Sequence, residues 1–225
     1  MANRKVIEFP SPKLREKSIE VESFDDEFRQ LVKDMLDTNS VKMGVGLAAP
    51  QVGTLKRVVV INCTRVELEN PEPVEALEDS QQLVLVNPVL ELSGEKHQWK
   101  EACLSIPGVS GLVERSQLVN LKFQNYNGEH REVDLDWPIS GVVQHECDHL
   151  DGILYVHRMS GISRSMLLKK FRKKQKKIKE MVAAMSSFGD DPAGPPKRGS
   201  NNTTKKKKKR TKRAPKKNHL KKKKR

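Results

Sequence analysis

The sequence predicts an α+β fold built on antiparallel strands, followed by a basic helix and a disordered basic tail. Three observations carry this. Short β-branched runs follow one another through the middle of the chain with no helical pattern between them, which favours antiparallel pairing over β-α-β crossovers. Three windows of 3–4 apolar spacing mark helices, one before the strands and two after. The charge is also divided. Residues 1–163 carry a net −9, residues 164–186 carry +8 and residues 187–225 carry +15, within a total of +14. The expected organisation is therefore a body over 1–163, a basic amphipathic helix over 164–186 and a disordered Lys/Arg-rich tail over 187–225.

Pro10-Ser11-Pro12 keeps the start of the chain out of a helix, because each proline disfavours the α region in the residue before it. The first helix is expected to start at Ser23 as N-cap, with Asp25, Asp26 and Glu27 in its first turn. Phe24, Phe28, Leu31, Val32, Met35 and Leu36 give its apolar stripe, and Asn39 and Gly44 end it. Arg57–Asn62 and Gln82–Pro88 read as strands. Between them, residues 67–80 hold six acids and two prolines and read as a solvated excursion. Val89–Leu92, Gly111–Glu114, Gln117–Gln124 and His130–Asp134 are further strands, with Asn125-Tyr126-Asn127-Gly128 turning 117–134 into a hairpin. A helix is predicted over Pro138–Leu150, with Pro138 in its first turn and Gly152 just past its end. The last helix runs from Ser163 to Met185, with Leu167, Phe171, Ile178, Met181, Val182 and Met185 on one side and lysines elsewhere. From Ser187, glycines and prolines mark a linker, and Lys205–Arg225 is too polar to build a core.

Composition excludes several classes. No run of 18 apolar residues offers a membrane span. Met1–Lys17 lacks the apolar stretch of a secretory signal, and Glu8, Glu16 and Glu20 argue against a transit peptide. Three cysteines, Cys63, Cys103 and Cys147, cannot make a disulfide framework and point to a reducing, cytoplasmic compartment.

The strongest chemical signal is Gln144-His145-Glu146-Cys147-Asp148-His149 on the predicted helix. His145 and His149, four residues apart, share a helix face and can chelate one metal ion, and Glu146 is placed to move a proton on an activated water. The helix is otherwise apolar, so polar side chains facing a core need a reason to be there. A catalytic site of this kind needs a third protein ligand. Downstream, Tyr155 stands where long zinc-protease motifs place a histidine, His157 comes two positions late, and Glu180 lies in the lysine-rich helix. The third ligand must come from upstream. Cys103 is the candidate, with Cys63 a competitor that reads better as a buried thiol ending a strand. Cys147 points away from the ligand face and reads as a packed small residue. A third segment, Gly44-Val45-Gly46-Leu47-Ala48-Ala49-Pro50-Gln51, allows close backbone approach to a ligand, and Gln51 offers an amide donor for a developing oxyanion.

Together, Gly44–Gln51, Glu101–Ser105 and Gln144–His149 resemble the three ordered motifs of the peptide deformylase family, G-x-G-L-A-A-x-Q, E-G-C-x-S and Q-H-E-x-D-H. The resemblance covers about residues 3–165. It implies an α+β fold with antiparallel sheets around a central metal-binding helix. The implied activity is removal of the N-formyl group from the initiator methionine of new polypeptides, in a bacterial-type or organelle-derived translation system. It implies Cys103, His145 and His149 as ligands of one Fe²⁺ per chain, with Zn²⁺ or another divalent ion as a replacement. It further implies Glu146 as proton carrier, Gln51 and the Leu104 backbone N–H at the formyl oxygen, and Gly44, Val45 and Gly46 along the peptide backbone. Val142 would line the methionine pocket, and Arg115 would pair with Glu101. The family glycine between Glu101 and Cys103 is Ala102 here, which strains the backbone if φ is positive there and narrows the peptide site if not.

Two other classes share these features: a metalloprotease-like hydrolase, and a non-catalytic RNA-binding protein on the same scaffold. The basic C-terminal region is expected to contact ribosomal RNA, because 26 Lys/Arg against 3 acids over 164–225 must attract polyphosphate. The expected assembly is a monomer, with no membrane partner.

Overall fold

A computed structural model describes residues 3–66 and 81–187. A 16-residue helix, α1 (Asp26–Val41), precedes β1 (Gly46–Ala48) and β2 (Val58–Asn62). Two long strands follow, β3 (Gln82–Cys103) and β4 (Ile106–Gln124), and then β5 (His130–Leu135). Helix α2 (Ile139–Leu150), the single turn α3 (Tyr155–Arg158) and the long α4 (Gly161–Ser187) complete the described chain. The five strands form one sheet in the order β1-β2-β3-β4-β5, every pair antiparallel. The α+β class and the antiparallel pairing are as the sequence predicts.

Several boundaries differ. Helix α1 is capped by Asp25, not Ser23. The Asp25 carboxylate accepts from the Phe28 N–H at 3.0 Å, while the Ser23 hydroxyl donates to Asp25. The expected strands Gln82–Pro88 and Val89–Leu92 are one strand that continues to Cys103, and Gly111–Glu114 and Gln117–Gln124 lie within one β4. The turn-forming residues bend these strands without ending them. Asn87, before Pro88, adopts φ 50° and Gly94 φ 75°, and the β3–β4 register shifts at both places. Asn87 is held there by bonds to both the N–H and C=O of Val21. The result is one long bent sheet where separate sheets were expected. Strand β1 was not foreseen, because three residues that open on a glycine show no alternation.

The core explains the placement of α2. β2 is apolar at every inner position because both of its faces are covered. Val58 and Val60 meet Phe28, Leu31, Val32 and Met35 of α1. Val59 and Ile61 share a cluster with Ile139, Val142, Val143, Cys147 and Leu150 of α2. All twelve residues of α2 are buried. A third cluster joins Leu14, Ile106, Val109, Val113 and Tyr155 to Leu167 and Phe171 of α4. The apolar stripe of α4 is therefore divided: its first part is core, while Ile178, Met181, Val182 and Met185 are exposed. Accordingly, the compact unit runs through Ala184, and the expected boundary at 163/164 falls where α4 begins to pack on the body. The acidic excursion over 67–80 and the tail beyond Ser187 lie outside the described residues. No helix among the described residues is long and apolar enough to cross a membrane.

Candidate active site

Helix α2 places His145 and His149 one turn apart, their rings edge to face with centroids 5.1 Å from each other. The tip of the β3–β4 hairpin carries Cys103 to them, where a register shift between Ala102 and Cys103 turns the chain. The Cys103 Sγ lies 3.3 Å from His149 Nε2. The candidate ligand atoms of Cys103, His145 and His149 all fall within 4.8 Å of one another. One thiolate and two imidazoles at this separation fit a single divalent ion at ordinary bond lengths of about 2.0–2.3 Å. Cys63 and Cys147 are buried in the core cluster beneath α2, away from this group.

The two histidines and the thiol have different surroundings. The Cys103 Sγ accepts from Gln51 Nε2 and from the Ser105 N–H, each at 3.4 Å. Burial holds His149 well below the usual histidine pKa, so its ring is neutral and able to ligate. Burial also pulls on His145, but hydrogen bonds with Cys103 and Glu101 outweigh it and raise that pKa. Glu101 Oε2 sits 2.6 Å from His145 Nδ1, leaving Nε2 for the ligand cluster. Burial opposes the charge on Glu101, yet its bonds with His145 and Arg115 keep the carboxyl below its usual range.

Arg115 grips Glu101 through two bonds of 2.7 and 3.1 Å, as the family resemblance implies, and the pair is buried. The same guanidinium donates to Asp148 at 2.6 Å, and Arg158 bonds Asp148 from outside. Asp148 and Arg158 were not singled out from the sequence. Asp148 stands inside the motif, but only its position on α2 facing Arg115 shows what it does.

Glu146 follows His145 and turns into the cleft beside β1. A Cβ at Gly46 would lie 2.5 Å from Glu146 Oε1, so only glycine lets β1 approach this carboxylate. The Glu146 Oε2 is buried without a hydrogen-bond partner, and burial raises the carboxyl to about 7. It is a group poised to take up a proton. Gly44 is similarly constrained, since a Cβ there would meet Asn39 Oδ1 at 2.2 Å. Gln51 follows β1 in a 3₁₀ turn (Ala49–Val52). Its Oε1 accepts from Ala48 N–H at 2.8 Å, which turns its amide nitrogen towards Cys103 and Ser105.

Gly44, Val45, Gly46, Gln51 and Leu104 line one side of the cleft with Cys103, His145 and Glu146. The larger side, about 610 Å³, is lined by Val142, Val45 and Val66 with Trp99 and Trp137. The two indoles meet edge to face at 4.8 Å. Neither tryptophan was foreseen as a site residue, because only β3 and the approach to α2 bring positions 99 and 137 together. Ala102 lines both sides. Among the described non-glycine residues only Met43 and Asn87 have positive φ, so Ala102 carries no left-handed strain and the steric alternative remains.

The family model for polypeptide deformylase matches residues 3–165. The peptide deformylase of Zymomonas mobilis is 40% identical over 177 residues, covering 78% of this chain and 97% of its own length. That of Acidobacterium capsulatum is 36% identical, covering 78% and 98%. Among solved structures, a peptide deformylase from Legionella pneumophila superposes with a TM-score of 0.69 at 33% identity, covering 78% of this chain and 96% of that one. A Synechococcus elongatus peptide deformylase in complex with actinonin gives 0.64 at 35% identity, covering 76% and 86%.

Proposed function

The chain belongs to the peptide deformylase family and removes the N-formyl group from newly made polypeptides, and we propose that it does so at the Cys103–His145–His149 cluster with Glu146 as proton carrier. The observation that carries this is the convergence of those three ligand atoms within 4.8 Å beside an unpartnered, buried carboxylate oxygen. The ion held there, Fe²⁺ in our reading with Zn²⁺ or another divalent metal able to replace it, supplies Lewis acidity for activating water and polarising the formyl carbonyl. Glu146 takes the proton of the attacking water and delivers it to the departing amine, so that formate and a free N-terminus leave. The Gln51 amide and the Leu104 backbone N–H donate to the formyl oxygen as it becomes negative. Gly44, Val45 and Gly46 align the peptide backbone, and Val142 lines the pocket for the methionine side chain.

The test is direct. Protein purified without oxygen should carry about one iron per chain and release formate from formyl-Met-Ala-Ser, and oxygen should inactivate it because thiolate and ferrous iron both oxidise. No formate release after reconstitution with iron, nickel or cobalt would overturn the reading. Casein left intact under the same conditions separates this activity from that of a general metalloprotease.

Ala102→Gly should leave kcat/KM for formyl peptides unchanged or raise it by a few-fold. It removes a methyl from the cleft wall without relieving any strained φ. A clear fall would show a site built around alanine.

The C-terminal region is read as the contact with ribosomal RNA. Residues 164–225 carry 26 Lys/Arg against 3 acids, and this attraction should fade with salt. Full-length protein should sediment with ribosomes more than a chain ending at Ser186, across about 50–200 mM salt. Equal sedimentation would remove the tail from this role. We infer a monomer that works in the cytoplasm or in an organelle-derived translation system.

A further inference from the structure

The large side of the active-site cleft carries two exposed cations beside the buried carboxylates Glu101 and Glu146. The body over residues 1–163 is acidic, at a net −9, and several of its cations are paired: Arg4 with Asp34, Arg57 with Asp151 and Lys122 with Glu91. Arg65 and Lys100 differ. Both are exposed, both line the large side of the cleft with Trp99, Trp137 and Val142, and neither forms an ion pair with any described residue. Lys100 and Ala102 alternate with the buried Glu101, so they share the exposed face of β3, on the side where Ala102 borders the cleft.

We propose that Arg65 and Lys100 make this enzyme prefer formyl-methionyl chains with an acidic residue at one of the two positions after the methionine. The inference rests on the deformylase reading of the cleft. A peptide whose formyl group lies at Glu146 leaves between Gly44–Gly46 on one side and Lys100–Ala102 on the other, because these segments border the cleft. An extended chain advances about 3.3 Å per residue, so the two residues after methionine pass within reach of Lys100 and Arg65. A carboxylate there gains two attractive charges and an ammonium meets two repulsive ones. The walls between them are indole and aliphatic, which screen less than open water.

The probes are formyl-Met-Asp-Ala-amide and formyl-Met-Ala-Asp-amide, their Lys counterparts, and formyl-Met-Ala-Ala-amide. The amides matter because a free C-terminal carboxylate would meet the same cations. Formate release at low salt should give at least one Asp peptide a kcat/KM about three- to tenfold above its Lys counterpart, the size expected from two exposed charge contacts, carried mainly in KM. The preference should shrink as ionic strength rises. The double variant Arg65→Glu, Lys100→Glu should invert it, and Lys100→Met should reduce it. The ratio is read within each protein, so a general loss of activity in a variant does not disturb it. Asp and Lys peptides turned over equally at both positions, or an unchanged ratio in the charge-reversed variant, overturns the proposal alone. Failure of the wild type to release formate from formyl-Met-Ala-Ala-amide overturns the deformylase reading with it.

Discussion

Glu146→Gln should keep the metal and lose about 10²–10⁴-fold in kcat, the usual penalty for removing a general base. Glutamine has the shape of glutamate, so the gap beside Gly46 is filled as before. It cannot accept the proton of an attacking water or hand it to the amine. Burial that raises the native carboxyl to about 7 brings it close to the pH at which a carrier both takes and returns a proton. Metal analysis beside steady-state formate release separates the two properties. A variant with native kcat would remove Glu146 from the mechanism, and a variant without metal would make it a structural prop of the ligand helix.

Cys103→Ala should fail at the earlier step, metal binding. Two imidazoles would remain, without the thiolate and without the acceptor that Gln51 Nε2 and Ser105 N–H now address. Metal content should fall from about one per chain to a small fraction of that, and formate release with it by at least about 10², since the Lewis acidity that a bound ion would supply for activating water is lost. Thermal unfolding of the metal-free forms provides the control, because Cys103 also packs in the cluster of Leu14, Ile106 and Tyr155 and its truncation removes contacts there. Normal metal content in this variant would show that another group completes the ligand set. Cys63 and Cys147 are badly placed for it, both packed in the cluster under α2.

Much of the site was legible because its chemistry is written in short, local spacing. His145 and His149 are one helical turn apart wherever that helix lies. Arg115 was identified at a fixed distance from Glu101 by the family resemblance, and β3–β4 pairing makes them neighbours. What the sequence hid is what depends on three-dimensional convergence. Trp99 and Trp137 belong to different elements, and no periodicity links them. Asp148 is visibly polar on an apolar helix, but Arg158 must come round through α3 before its purpose shows. In the fold, the misread places were Asn87-Pro88 and Gly94. Such residues usually stop a strand; here pairing with β4 resumes beyond each of them and carries the strand through the bend. The division of α4 was equally invisible, because Phe171 and Ile178 look alike in sequence and only the body decides which is covered.

The order of strands in the sheet has a consequence for how the molecule is made. Each strand pairs with the one before it in the chain, from β1 to β5, so the sheet can grow as the polypeptide lengthens without waiting for distant partners. Other ties join distant parts of the body, such as the Ser18 N–H to the Leu150 C=O at 2.8 Å and the packing of Leu14 with Leu167 and Phe171. The ligand set is spread differently. Cys103 is presented when the hairpin forms, but His145 and His149 arrive only after β5 is finished. On the proposed ligand set, metal capture would therefore come late in synthesis. A chain interrupted before His149 has every strand of the sheet but lacks part of the proposed ligand set, so on that reading premature termination yields no half-active enzyme to compete for metal or for substrate.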